Sequence, residues 1–249
     1  MIRVAVANQK GGVAKTTTAV TLSHGLALKN YGVLLVDLDP QGQCASHLGL
    51  DRGDGVFHLL MNGVALASVA QRTGRPELWL LPGGKRTRVA ETRMIEERRG
   101  VWTLGELLAE RMNGGLHFVV MDTAPSAGGL QENALYCCDV LVIPSAVDHL
   151  SLEGVREVLS TLGALGRAQV PMVRILPTFF DEVTKESAAN LRALRYTFGD
   201  AVWEPIHRAA VLRECPAVGR TIFEQGPETR AADEYGAVVW QVLDGVRGW

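Results

Sequence analysis

Short apolar runs recur along the chain at Ile2, Val4 and Val6, then at Val33–Val36, Leu78–Leu81, Phe118–Met121, Val140–Ile143 and Met172–Leu176. Each is too short for a helix and nearly continuous instead of alternating, the pattern of strands buried on both faces of a parallel sheet. Between them lie stretches of helical period. Thr16–Asn30 closes at Gly32, and Ser151–Leu165 sets Leu152, Val155, Val158, Leu159, Leu162 and Leu165 at helical spacing. Near the end, Thr229–Val246 reads as a closing helix that turns Tyr235, Val238, Val239 and Val242 toward a sheet. This strand–helix alternation predicts an α/β fold, a doubly wound, mostly parallel sheet with helices on both faces. The stretch from Asp51 to Gly115 fits it least. Gly53, Gly55, Gly63, Gly83 and Gly84 interrupt it and a charged cluster runs from Lys85 to Arg99, so it reads as a solvated helix with its loops or as a partner-binding face.

The loop after the first strand carries the chemistry. Val4–Thr18 reads VAVANQKGGVAKTTT, with Gly11 and Gly12 adjacent and Lys15 followed by three threonines. Glycines let backbone N–H groups converge on an anion, Lys15 adds an ammonium, and the helix beginning there points its positive end inward. This is a phosphate cradle spanning Lys10, Gly11, Gly12, Val13, Ala14, Lys15, Thr16 and Thr17, with the Thr16 hydroxyl placed to ligate magnesium. Against the usual pattern G-x-x-x-x-G-K-[ST], Gln9 stands for the first glycine and Ala14 for the second. A positive φ at Ala14 would strain an alanine.

Three aspartates complete the candidate centre. Asp37 and Asp39 alternate at the carboxyl end of the Val33 strand, and Asp122 ends FVVMD. In an open α/β sheet those strand ends face the ligand crevice, where carboxylates can hold the water shell of Mg²⁺ or orient an attacking water. Thr16 and Asp122 are therefore candidate metal residues, and Asp37 and Asp39 are each candidates for the metal or for the attacking water.

Composition narrows the setting. With 249 residues, 47% of them hydrophobic, the chain suits one domain over 1–249. A formal net charge of −2 means that nucleic-acid binding would need a local basic patch. Cys44, Cys137, Cys138 and Cys215 form no C-x-x-C pair, which suits a reducing cytoplasm and implies no metal cluster. The opening lacks a basic and apolar leader pattern, and no run of some eighteen apolar residues occurs, so neither secretion nor a membrane span is expected.

KGGVAKTT resembles the deviant Walker A signature KGGxxKT of the ParA/MinD group of P-loop ATPases. DLDPQG at Asp37–Gly42 resembles that group's DxDPQG motif, and TAPS after Asp122 departs mildly from its PPS-like tripeptide at Ala124. Asn133–Leu135, DVLVIPS with the following LSLEG, and PIHRAAVLRECPAVGRTI also resemble family segments. In the last of these Arg208, Glu214, Pro216 and Gly219 match, whereas His207 replaces a proline. The resemblance covers nearly the whole chain and implies a small ParA-like ATPase without an N-terminal helix-turn-helix extension. It implies ATP and Mg²⁺ as cofactors, Lys10, Lys15 and Asp39 as catalytic residues, and a Lys10 that crosses a dimer interface to the partner's nucleotide. Asp39 would position the hydrolytic water. Thr178 and Phe179, with Ile206 and Arg208, would meet the nucleotide at its adenine end.

The family further implies an ATP-dependent homodimer that binds DNA non-specifically, sits on the nucleoid in the cytoplasm, and partitions plasmid, chromosome or other cargo under stimulation by a ParB-like partner. In Lys185–Phe198, Leu191, Leu194 and Phe198 share one side while Lys185, Arg192 and Arg195 form a basic stripe. That stripe reads equally as a solvated face or as a DNA surface, with Arg208 and Arg220 as weaker candidates. The alternative within the fold is a MinD-like membrane-associated spatial regulator, disfavoured because the closing helix lacks a lysine-rich polar face, and no stable membrane association is expected. A nitrogenase-iron-protein-like reductase would need a cluster-binding cysteine within Asp122–Gly129, and that segment holds none.

Overall fold

The computed structural model describes residues 1–109, 115–126 and 128–249. Its strands are β1 (Ile2–Val6), β2 (Val33–Asp37), β3 (Gln71–Arg72), β4 (Leu78–Leu81), β5 (Phe118–Asp122), β6 (Val140–Ala146) and β7 (Met172–Thr178). The helices of the first half are α1 (Lys15–Ala27), α2 (Gln43–His47), α3 (Gly55–Asn62), α4 (Leu66–Val69), α5 (Lys85–Glu96) and α6 (Thr103–Leu108). Those of the second are α7 (Gly129–Cys137), α8 (Ser151–Ala164), α9 (Lys185–Phe198), α10 (Ala210–Val218), α11 (Ile222–Gln225) and α12 (Arg230–Gly245).

The strands form one sheet in the order β3-β4-β2-β5-β1-β6-β7, parallel throughout except for the β3–β4 pair. Alternate residues of every strand but β3 feed two separate cores, which explains why the apolar runs are continuous. Val4, Val6, Val33, Leu35 and Val120 pack with α1 and α12, whose Tyr235, Val238 and Val242 are buried there. Ala5, Leu34, Val36, Val119 and Met121 pack on the opposite face with residues of α3, α6, α7 and α8. The sheet is thus doubly wound, as expected from sequence. Among the described residues, no helix is long and apolar enough to cross a membrane.

Register positions the chemistry. β5 lies between β1 and β2, with Asp122 level with Val6 on one side and Asp37 on the other. The loop that leaves β1 therefore emerges beside Asp122, with Asp37 one strand further across the sheet.

The stretch 51–115 differs from its reading as a solvated segment, and its residues 110–114 lie outside the described ones. α3 buries Val56, Phe57, Leu59 and Leu60 in the second core, and α6 adds Leu104 and Leu108. Only α5 matches the charged, solvated description, burying Thr87, Ala90 and Met94 alone. Gly83 has a packing reason: a Cβ there would collide with the Asp37 carbonyl, so only glycine brings this turn against the end of β2.

Candidate functional site

Asn8, nearly fully buried, shapes the turn out of β1. Its side-chain amide donates to the Pro144 carbonyl at 2.8 Å, and its Oδ1 accepts the Lys10 N–H at 2.9 Å. Gly12 has φ 72° and Ala14 φ 67°, ψ 31°, so the alanine occupies the left-handed region that favours glycine. Such a conformation costs about 1 kcal/mol or more in a non-glycine residue and persists where the surroundings over-determine it. Ala14 then leads into α1, whose first turn carries no acidic residue and no side-chain cap. Its free N–H groups and positive dipole end remain available to an anion.

The two lysines part company. The Lys15 ammonium folds back into the loop and donates to the Lys10 carbonyl at 2.8 Å. Burial lowers its pKa, and Asp122 and Asp39 oppose that shift, so it stands as a desolvated cation beside the carboxylates. The Lys10 ammonium instead pairs with Asp148 Oδ2 at 2.5 Å, the two side chains 28% and 38% exposed. Partial burial pushes the Asp148 carboxyl up, but the Lys10 ammonium and the Leu150 N–H outweigh it and hold the pKa below the ordinary value. The anion next to Lys10 is therefore a residue of its own chain. Asp148, two residues beyond β6, is absent from the sequence-based candidates; its signal is a carboxylate just past the end of a buried strand, as at Asp39.

Asp37 and Asp122 are wholly buried and Asp39 nearly so. Asp37 accepts the Asp39 N–H at 3.1 Å and the Cys44 N–H at 3.0 Å, while Asp39 accepts the Gln41 N–H at 2.8 Å. Burial, reinforced by Asp122, raises the Asp37 pKa well above the carboxylate range despite those two N–H groups. Burial likewise pushes Asp122 up to about 6, against the pull of Thr16 and Cys44. Two carboxyl groups this close in a dry site do not both ionise without a cation. Among the described residues, Asp122 Oδ1 is buried with no hydrogen-bond partner.

A cleft of about 360 Å³ joins Gly12–Thr17 to Asp39, Gln41 and Phe179. Beside it a cavity of about 270 Å³ is bordered by Ala14, Thr178, Phe179, Ile206, Arg208 and Tyr235. The two share Ala14, Thr17 and Phe179, and together they suit a phosphate chain with an attached base. Thr178 donates to the Val13 carbonyl at 3.2 Å, tying the end of β7 to the phosphate loop. Phe179, at φ 57°, is held in a strained left-handed conformation between the two spaces. His207 has a reason to differ from proline: its N–H donates to Glu234 Oε2 at 2.9 Å, a bond proline could not make.

The basic stripe of α9 is exposed at Lys185, Arg192 and Arg195. Arg195, however, is not a bare cation, because its guanidinium binds both oxygens of Glu204 at 2.9 and 2.8 Å. Arg208 and Arg220 are exposed as well, Arg208 bordering the base cavity and not α9.

Residues 1–175 match the AAA domain family. The chain is 36% identical over 245 residues to the chromosome-partitioning ATPase Soj of Thermus thermophilus, covering 97% of this chain and 95% of that one. Cobyrinic acid a,c-diamide synthase from Mycobacterium smegmatis, solved with a bound ATP analogue and magnesium, superposes with a TM-score of 0.85 at 27% identity over 100% of this chain and 96% of that one. Apo McdA of Cyanothece shares the fold, with a TM-score of 0.87 at 19% identity over 98% and 99% of the two chains. A phosphate loop with two lysines, strand-end carboxylates and near full-length similarity to Soj lead to one assignment: the chain belongs to the ParA/Soj family of ParA/MinD-like P-loop ATPases.

Proposed function

We propose that the chain acts as a single-domain partitioning ATPase. ATP and Mg²⁺ join two copies, the joined form holds DNA of any sequence, and a ParB-like partner stimulates the hydrolysis that releases it. The observation that carries this reading is the division of labour between the lysines. Lys15 lies inside its own phosphate loop, whereas Lys10 points out of it onto a half-exposed carboxylate, where it can be exchanged for a neighbouring copy's phosphate.

The donor set suits magnesium. Thr16, Asp37 and Asp122 offer only hard oxygen atoms, and the unpartnered Asp122 Oδ1 needs a cationic or water-borne partner. Once bound, the ion would neutralise charge on the β- and γ-phosphate oxygens. The chain's own residues do the rest: loop N–H groups and Lys15 hold the phosphates, Asp37 and Asp122 hold the ion through its water, and Asp39 orients the attacking water. The protonation of the buried pair gives a pH test. A group raised to about 6 keeps its proton below that pH, so cation binding must displace the proton there. The Mg²⁺ concentration for half-maximal ATP binding should rise by up to about tenfold per pH unit as pH falls below about 6. Titrations at fixed ionic strength check this, and a flat profile throughout would contradict the role given to Asp122.

DNA binding is tested by retardation of arbitrary duplexes. It should require ATP and weaken steeply with salt, because lysine and arginine displace condensed counterions. Arg192→Glu should weaken it and lower the salt slope by about 1 without altering ATP affinity. Arg195→Glu should have the smaller effect, since Glu204 already neutralises that side chain. Retardation unchanged in both would place the DNA surface elsewhere, and ATP-dependent co-sedimentation with lipid vesicles would favour a membrane-recruited regulator.

A further inference from the structure

Cys44 has no part in phosphate chemistry, yet it stands between the two buried carboxylates. Its N–H donates to Asp37 Oδ2 at 3.0 Å and its thiol to Asp122 Oδ2 at 3.4 Å. One ligand atom from each of Asp37, Cys44 and Asp122 lies within 4.8 Å of the others, and all three residues are buried. Asp122 Oδ1 is the unpartnered acceptor of the group. In a tetrahedral zinc site, bonds of about 2.3 Å to sulfur and about 2.0 Å to oxygen set those two atoms about 3.5 Å apart. The Cys44–Asp122 separation is close to that spacing.

The thiol changes which ions the site prefers. Magnesium takes oxygen donors, surrenders its water reluctantly and gains nothing from sulfur. A thiolate with two carboxylates is instead a donor set for softer ions of the zinc and cadmium class. We propose that Asp37, Cys44 and Asp122 form a binding site for a thiophilic divalent cation, and that this ion competes with magnesium for the same carboxylates and stops turnover. On binding, the metal–sulfur bond replaces the S–H bond, metal–oxygen bonds replace the O–H bond held within the carboxyl pair, and the thiol and carboxyl protons pass to the buffer, leaving the fourth coordination position to water. No oxidation is involved.

The binding half of the proposal does not depend on the ATPase reading, so its test uses the nucleotide-free protein and Cd²⁺ as the probe. Wild type should develop the ultraviolet cadmium–thiolate charge-transfer band, with a component saturating at one ion per chain. Cys44→Ser, which keeps a hydrogen-bond donor but not a soft ligand, should lose that component, and Cys44→Ala should lose it too. Cys215→Ala should keep it. Folding of each variant is checked by its thermal melt; whichever Cys44 variant melts as wild type does carries the comparison. A second readout concerns Zn²⁺: the concentration that halves ATP turnover at fixed Mg²⁺ should rise at least about tenfold in Cys44→Ala. A wild-type protein without the band, or a band identical in wild type and Cys44→Ser, overturns the site, the latter assigning cadmium to the other thiols. A band lost as expected with zinc inhibition unchanged in Cys44→Ala overturns the competition with magnesium.

Discussion

Lys15→Ala is expected to lose ATP binding to below calorimetric detection, and turnover with it. Its ammonium is desolvated, faces Asp39 and Asp122 across the site, and is folded back into the phosphate loop. A charge-assisted bond from a buried ammonium to phosphate is worth about 3 kcal/mol or more when truncated, roughly two orders of magnitude in affinity. Removal also leaves the Asp37–Asp39–Asp122 carboxylates with nothing to offset a triphosphate. The fold itself should survive: among the described residues the Lys15 side chain donates to the Lys10 carbonyl alone, so the melting temperature should change little. Near-normal affinity in a folded Lys15→Ala protein would remove the phosphate assignment of the loop.

Lys10→Ala should bind one ATP per chain and hydrolyse almost none. In the nucleotide-free chain this side chain touches Asp148 and no part of its own loop's anion-binding surface. A half-exposed pair of this kind contributes about 0–1 kcal/mol, so a phosphate from a second copy can replace it at little cost. A cation supplied across an interface to the charge developing on the leaving oxygen is worth about 10³-fold or more in kcat in other phosphate-transferring enzymes. The loss should therefore appear in kcat and not in ATP affinity, the split expected of an interaction made only at the transition state. Asp148→Asn is the control, since it removes the resting partner and keeps the lysine: it should retain ATP binding and turnover. Full activity in Lys10→Ala would leave this lysine a bystander.

The sheet was legible because burial on both faces makes its inner strands nearly continuous apolar runs, and runs such as Val33–Val36 or Phe118–Met121 have no other comfortable fold. The phosphate loop was legible because few sequences place glycines and lysines in that order between an apolar run and threonines. Two kinds of feature were not. α3, α4 and α6 bury their side chains in pieces of eight residues or fewer, too short for a period to emerge among glycines, and β3 is two polar residues paired through their backbone alone. The partners of charged groups were the other. Asp148 lies 138 positions from Lys10 and Glu204 nine from Arg195, and only the parallel crossover geometry brings the first pair together. Cys44 is similar: a single small residue after DxDPQG acquires meaning once β2 and β5 are known to be neighbours.

Light scattering of Asp39→Ala with ATP and Mg²⁺ tests the central claim most directly. In the proposed function Asp39 orients the attacking water, a task of the transition state, so its loss should spare ATP binding and dimerisation while stopping turnover. The variant should be a 26.9 kDa monomer without nucleotide and twice that mass with ATP, persisting as long as ATP is present. A stable monomer with ATP bound would contradict the account, because Lys10 would then have no second nucleotide to reach.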